Sequence, residues 1–204
     1  MRYAGTGETG STRLDMIDRR QILGALAAMA CGASASPALA QSASRMTAYG
    51  FSFPGLHGGE VKLADYAGRP IMVVNTASLC GNTPQYAGLQ QLWTEFRDRG
   101  LMIIGVPSND FGSQEPGGET EITAVAHGQF GVSFPMTART VVKGPGAHPF
   151  YKWAAEARPR DLPRWNFHKY LVGRDGYLTE SFADTLQPTD TRIKTAVARA
   201  LALA

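Results

Sequence analysis

Val73-Val74-Asn75-Thr76-Ala77-Ser78-Leu79-Cys80-Gly81-Asn82-Thr83-Pro84-Gln85-Tyr86 is the stretch that decides the fold of this 204-residue chain. An apolar run of β type, beginning at Ile71, gives way to a short polar turn, then to Cys80-Gly81, then to a proline suited to opening a helix. A strand that passes into a helix in this way puts its turn at the carboxyl end of a sheet, where open α/β sheets carry their sites. It also brings the Cys80 thiol close to the free main-chain N–H groups of a helix start. Those groups and the helix dipole favour the thiolate, which is the nucleophilic form.

The flanking sequence extends this unit. Gln85 to Arg99 carries Tyr86, Leu89, Leu92, Trp93 and Phe96 at helical spacing and stops at Gly100. Leu101 to Val106 is a second apolar run, so strand, helix and strand give a parallel pair. Upstream, Phe51-Ser52-Phe53 and Val61-Lys62-Leu63 flank Gly55, Gly58 and Gly59 as a small hairpin. Downstream come a turn-rich loop from Pro107 to Gly118, a helix from Glu119 to Phe130, a short strand at Thr140–Val142 and a helix from Pro149 to Ala157. Phe167–Val172 and Tyr177–Phe182 form a hairpin around Gly173-Arg174-Asp175-Gly176, and Ile193 to Leu203 closes the chain as an amphipathic helix. The predicted fold class is α/β: a thioredoxin-like fold, with a mixed central β-sheet flanked by helices and an N-terminal β-hairpin.

Hydrophobic residues make up 44% of the chain and charged residues 18%, which is the composition of a globular protein. The formal charge of +3 is small and no basic block is present, so nucleic acid is excluded as a natural partner. Arg19-Arg20, the apolar stretch Gln21 to Ala30 and Ala38-Leu39-Ala40 make a secretory signal over residues 1–40, cleaved after Ala40. The paired arginines point to the twin-arginine route and a periplasmic destination, although the Ser or Thr and the Phe of the strongest form of that pattern are missing. Met16 is an alternative start, and Ala28-Met29-Ala30-Cys31 is an incomplete lipid-attachment pattern lacking Leu. The apolar stretch is too short to span a bilayer. Residues 41–46 read as a short linker and residues 47–204 as one domain. Of the chain's two cysteines, Cys31 lies in the leader, so the mature protein keeps one thiol.

Four segments carry polar groups in positional contexts: Cys80 to Pro84; Pro107-Ser108-Asn109-Asp110-Phe111-Gly112-Ser113-Gln114-Glu115-Pro116-Gly117; Gly131 to Pro135; and Arg164-Trp165-Asn166-Phe167-His168-Lys169-Tyr170-Leu171. In order, spacing and flanking residues they resemble the glutathione peroxidase family over roughly residues 47–190. That resemblance implies a catalytic tetrad. Cys80 matches the residue that attacks peroxide, Gln114 the glutamine of the Phe-Gly-x-Gln-Glu-Pro motif, and Trp165 and Asn166 the Trp-Asn pair. The chemistry explains these residue types. Two amides and an indole N–H are neutral donors that stabilise a thiolate and the charge developing on peroxide oxygen without sealing the sulfur off. The product on sulfur is a sulfenic acid, which a thiol reduces. Peroxide is then the substrate, and glutathione, another small thiol or an external thioredoxin-like protein is the reductant. No metal or other cofactor is implied: His57, His127, His148 and His168 lack metal-ligand spacing and read as surface or loop residues.

Taken singly, each residue has a plainer reading: a Cys after a strand as a small buried hydrophobe, Trp165 as core, Gln114 as a loop hydrogen-bonder and Thr83 as a helix cap or first-turn residue. The chain also departs from relatives that read Pro-Cys-Asn-Gln-Phe-Gly, with Ser108 for Cys and Asp110 for Gln. The helix after the Gln-Glu-Pro loop lacks the resolving cysteine of the thioredoxin-dependent branch, which excludes an internal disulfide cycle once the leader with Cys31 is removed. Only a short segment separates Trp153 from Trp165, where tetrameric members carry an insertion, so the chain resembles the compact, monomeric form with a more open site. The competing functions are an exported thioredoxin-like thiol–disulfide oxidoreductase and a non-catalytic redox-sensing scaffold. The first lacks Cys-x-x-Cys, since Thr83 stands in the last place, and a peroxiredoxin would need Thr where Ala77 stands.

Overall fold

The computed structural model describes residues 46–202. The leader predicted over 1–40, Cys31 within it, and the linker up to residue 45 lie outside the described residues. The elements are β1 (Ser52–Pro54), β2 (Glu60–Lys62), β3 (Ile71–Thr76), α1 (Gln85–Phe96), β4 (Met102–Pro107), α2 (Glu119–Thr123), α3 (Pro149–Ala157), β5 (Lys169–Val172), β6 (Leu178–Phe182) and α4 (Thr191–Ala202). β1 and β2 form the predicted antiparallel hairpin, and the main sheet runs β4-β3-β5-β6. β3 is parallel to β4 and antiparallel to β5, which pairs antiparallel with β6.

Every residue of β3 is buried, and alternation along the strand divides the core in two. Met72 and Val74 point to the face covered by α1 and α4, where they join Leu89, Leu92, Phe96, Ile193 and Val197. Ile71 and Val73 point to the other face, against Phe53 of the hairpin and Phe150 and Trp153 of α3. Each such side chain contributes about 1.5–3 kcal/mol when fully buried, so a strand covered on both faces is the best-anchored place from which to hang a functional loop.

Local interactions shift several predicted boundaries. α1 ends at Phe96 and tightens into a 3₁₀ turn over Arg97–Arg99 before Gly100, whose φ of 114° stops it. The helix predicted from Glu119 to Phe130 is α-helical only to Thr123 and continues as a π-helix over Ala124–Gln129. Thr140–Val142 is not a strand. Asp110 Oδ2 accepts the N–H groups of Val142 (2.6 Å) and Lys143 (3.2 Å), while the main chain at Met136–Thr137 makes bridges to Gly105 and Gly55. The Asp110 that departs from the family pattern therefore closes its loop onto residues 142–143.

β5 contains an unexpected buried cation. Lys169 is fully buried, and its Nζ donates to Gln85 Oε1 (2.6 Å) at the start of α1 and to the Leu186 carbonyl (2.6 Å). Burial pulls its pKa down to about 7, against the opposing pull of Asp184. The unfolded lysine titrates near 10.5, so from about pH 7 upward the unfolded chain binds the extra proton and stability rises with pH. Urea unfolding of the wild type at several pH values above 7 should give a rise of at most about 1.4 kcal/mol per pH unit from this group. Lys169→Met should flatten that rise; a slope unchanged in the variant would assign it to other groups.

Candidate active site

Three loops meet at the carboxyl ends of β3 and β4. The first follows β3 and carries Cys80, which is 7% exposed and unpaired. Thr83 does not cap the helix as its position suggested. Its Oγ1 accepts the Cys80 N–H (3.0 Å) and donates to the Ala77 carbonyl (2.9 Å), bracing the turn from inside. The main-chain N–H of Asn82 donates to Cys80 Sγ at 3.3 Å. Successive bonds from Thr83, Gln85, Tyr86 and Ala87 N–H groups to the carbonyls three residues back lead from Cys80 into α1. The sulfur thus lies ahead of the helix through a short coil of turns and receives the N–H of Asn82 from within that coil, not from the helix itself.

The second loop follows β4. Leu79 N–H donates to the Gln114 carbonyl (2.9 Å), joining this loop to the Cys80 turn. Asn109 Oδ1 accepts the Glu115 N–H (2.8 Å), and Arg139 Nη1 donates to the carbonyls of Glu115, Pro116 and Gly117. Gly112 and Ser113 both have positive φ, 67° and 53°. Glycine is favoured at 112 on two counts, because a Cβ there would also lie a tight 3.2 Å from Trp165 Cη2.

The third loop carries Trp165 and Asn166. Asn75, at the end of β3, donates through Nδ2 to the Trp165 carbonyl (3.0 Å), and its own carbonyl accepts the Phe167 N–H (2.6 Å). Phe167 is held at a φ of 72°, unusual for a bulky residue, which turns the chain into β5. Asn166 is fully buried; its Nδ2 donates to Gln114 Oε1 (3.0 Å) and lies 3.3 Å from the Phe111 carbonyl. Asn82 Nδ2 reaches the Asn166 carbonyl at 3.4 Å. Trp165 is 38% exposed and tilts against Phe111 with ring centroids 6.1 Å apart.

The structure therefore brings Cys80, Gln114, Trp165 and Asn166 together through these links. Among the described residues, Asn82 supplies the one hydrogen bond to the sulfur, and the amides of Gln114 and Asn166 bond to each other. Because Gln114 Oε1 is engaged, its Nε2 is the end left to serve as donor. Two positioning residues escaped the sequence reading. Asn75 had a signal, a lone amide in an otherwise apolar buried strand; Arg139 had none, since an arginine in a loop reads as solvated surface. Of the histidines read as surface or loop residues, His168 needs correction. His168 is buried against Tyr170 and its pKa falls to about 4, chiefly through burial. His148 begins α3, accepting the Phe150 N–H and bonding the Ser52 carbonyl, and burial lowers its pKa too. No three His, Cys, Asp or Glu side chains among the described residues are grouped to hold a metal ion.

The sequence profile of the glutathione peroxidase family matches residues 48–155. The chain belongs to that family. It is 42% identical over 154 residues to the hydroperoxy fatty acid reductase gpx1 of Synechocystis sp., covering 71% of this chain and 90% of the relative. It is 40% identical over 148 residues to a glutathione peroxidase of Lactococcus lactis, covering 71% and 94%. The crystal structure of Trgpx in apo form superposes with a TM-score of 0.64 at 32% identity, covering 78% of this chain and 97% of that one. A thiol:disulfide interchange protein of Chlorobium tepidum, at 16% identity and a TM-score of 0.55 over 74% and 92%, shares the thioredoxin fold alone. This glutathione peroxidase homologue is a thiol-dependent peroxidase, an oxidoreductase whose family uses a thiol co-substrate and no prosthetic group.

Thr83→Val removes the oxygen that braces the Cys80 turn while keeping its shape, leaving a buried N–H and a buried carbonyl short of a partner. The expected loss is about 2 kcal/mol in urea unfolding, with slower oxidation of Cys80 by peroxide.

Proposed function

We propose that Cys80 is the peroxidatic residue, that Gln114, Trp165 and Asn166 are the donors around it, and that the enzyme runs a one-cysteine cycle. The observation that carries this reading is the linkage of the three loops at one point. Leu79 is bonded to Gln114, Gln114 to Asn166, and Asn166 to Asn82, whose N–H is on the sulfur. The Cys80 thiolate attacks one peroxide oxygen, the S–O bond forms as the O–O bond breaks, and the leaving oxygen takes a proton and departs as water or alcohol. Sulfur is oxidised to sulfenic acid and the peroxide is reduced. A first external thiol displaces water to give a mixed disulfide, and a second releases Cys80. The reductant is a small thiol such as glutathione or a thioredoxin-like protein, since Cys80 is the only cysteine between residues 46 and 204.

Hydrogen peroxide and organic hydroperoxides are the proposed substrates, in a protective role against oxidative stress. The relative named for hydroperoxy fatty acids supports the organic class, as do the exposed apolar side chains of Leu79 and Trp165 beside the site. The short segment before Trp165 supports a monomer, and the leader sequence supports export to the periplasm, with one domain from residue 47.

A brief stoichiometric peroxide pulse with dimedone present should give one adduct, mapped to Cys80 by mass spectrometry. Cys80→Ser should abolish it along with peroxide consumption, and Gln114→Ala or Asn166→Ala should slow oxidation by about 10²-fold. An unmodified Cys80 in folded protein would overturn the assignment in favour of a redox-inert scaffold.

A further inference from the structure

Glu115 follows Gln114 directly and is fully buried. Its Oε2 accepts the Ser78 hydroxyl at 3.1 Å, while the neighbouring Gln114 carbonyl accepts the Leu79 N–H at 2.9 Å. The two residues that precede Cys80 are therefore each bonded to one of the two residues at the heart of the second loop. One bond is main chain to main chain and the other passes through a carboxyl. Arg139 does not form an ion pair with that carboxyl, because its Nη1 serves three carbonyls instead. Glu115 Oε1 is buried without a partner, and Tyr86 Oη nearby feels both the Thr76 hydroxyl and the Glu115 charge. A brace alone is met by an amide; an acid in this position adds an ionisation behind the Cys80 turn.

We propose that Glu115 is a positioning residue for peroxide reduction: as a carboxylate it holds, through Ser78 Oγ, the turn bearing Cys80 against the loop bearing Gln114, and on taking up a proton it lets that turn go. The proposal rests on the assignment of Cys80 and Gln114 to the reaction. An ionised carboxylate is acceptor-only and bonds a hydroxyl roughly twice as strongly as a neutral group does, so protonation weakens the Ser78 link. Burial raises the Glu115 pKa above its ordinary value, against the lowering pull of the Ser78 bonds and of Arg139. The charged and titratable groups facing it are Arg139, Tyr86 from α1, which burial keeps neutral, and the Cys80 turn reached through Ser78.

The test follows the second-order rate of Cys80 oxidation by hydrogen peroxide from about pH 5 to about pH 8 in the full chain, together with Cys80 alkylation by iodoacetamide over the same range. The acid limb of both rates should be steeper in the wild type than in Glu115→Gln, which keeps an acceptor but cannot ionise, or in Ser78→Ala, which removes the hydroxyl link. Ser78→Thr, which keeps the hydroxyl, should match the wild type. Ser78 is only partly buried, so the Ser78 pair decides the matter if Glu115→Gln does not fold. An acid limb identical in wild type and variants overturns the proposal. A thiol that peroxide never oxidises overturns the peroxidase assignment instead, and the alkylation profiles then still judge Glu115.

Discussion

Asn75 commits its main-chain N–H, its carbonyl and its side-chain amide to a single segment, bonding the His168 carbonyl, the Phe167 N–H and the Trp165 carbonyl. It sits near the end of β3, the strand buried on both faces, so the most firmly anchored strand of the sheet also fixes the entry to β5. The left-handed Phe167 is tolerable only because that grip is in place on both sides of it. From this junction Asn166 reaches Gln114, and Gln114 in turn reaches the Cys80 turn. The site is therefore rigid for a reason that begins in the core rather than in the loops.

In the proposed cycle, negative charge is on sulfur first and on oxygen later, and neutral amides and an indole would serve either without trapping the sulfur in an ion pair. Two buried ionisable groups, Lys169 and Glu115, act on the framework: Lys169 binds the first residue of α1, and Glu115 binds the residue two before Cys80. Placing ionisable groups behind the neutral donors separates the electrostatics of folding from those at the reacting atom.

Much of this was legible in the sequence because it depends on periodicity and on short rigid turns. β3 and β4 announce themselves as apolar runs, and α3 begins and ends where Pro149 and the apolar spacing put it. The four candidate site residues were picked out by their strings. The strand expected at Thr140–Val142 failed because a side chain distant in sequence, Asp110, takes the amides that a partner strand would have used. Thr83 was misread as a cap because its partners, Cys80 and Ala77, lie upstream of it instead of in the helix. Burial of Lys169, the first residue of β5, and of His168 just before it could not be read, since their cover comes from parts of the chain remote in sequence, Gln85 and Leu186 against Lys169 among them. Arg139 illustrates the same limit: its role lies in three carbonyls more than twenty residues away.

In the proposed cycle, Cys80 stands as the one cysteine among residues 46–204, and this has a kinetic consequence. A second cysteine within these residues would meet the oxidised sulfur at an effective concentration in the millimolar range or above, independent of the surroundings. Without one, the lifetime of oxidised Cys80 is the reciprocal of a bimolecular rate multiplied by the concentration of whatever thiol is outside. The fraction of enzyme standing oxidised therefore reports the ratio of peroxide to reductant in its compartment, and the protein's redox state becomes a running measure of that balance.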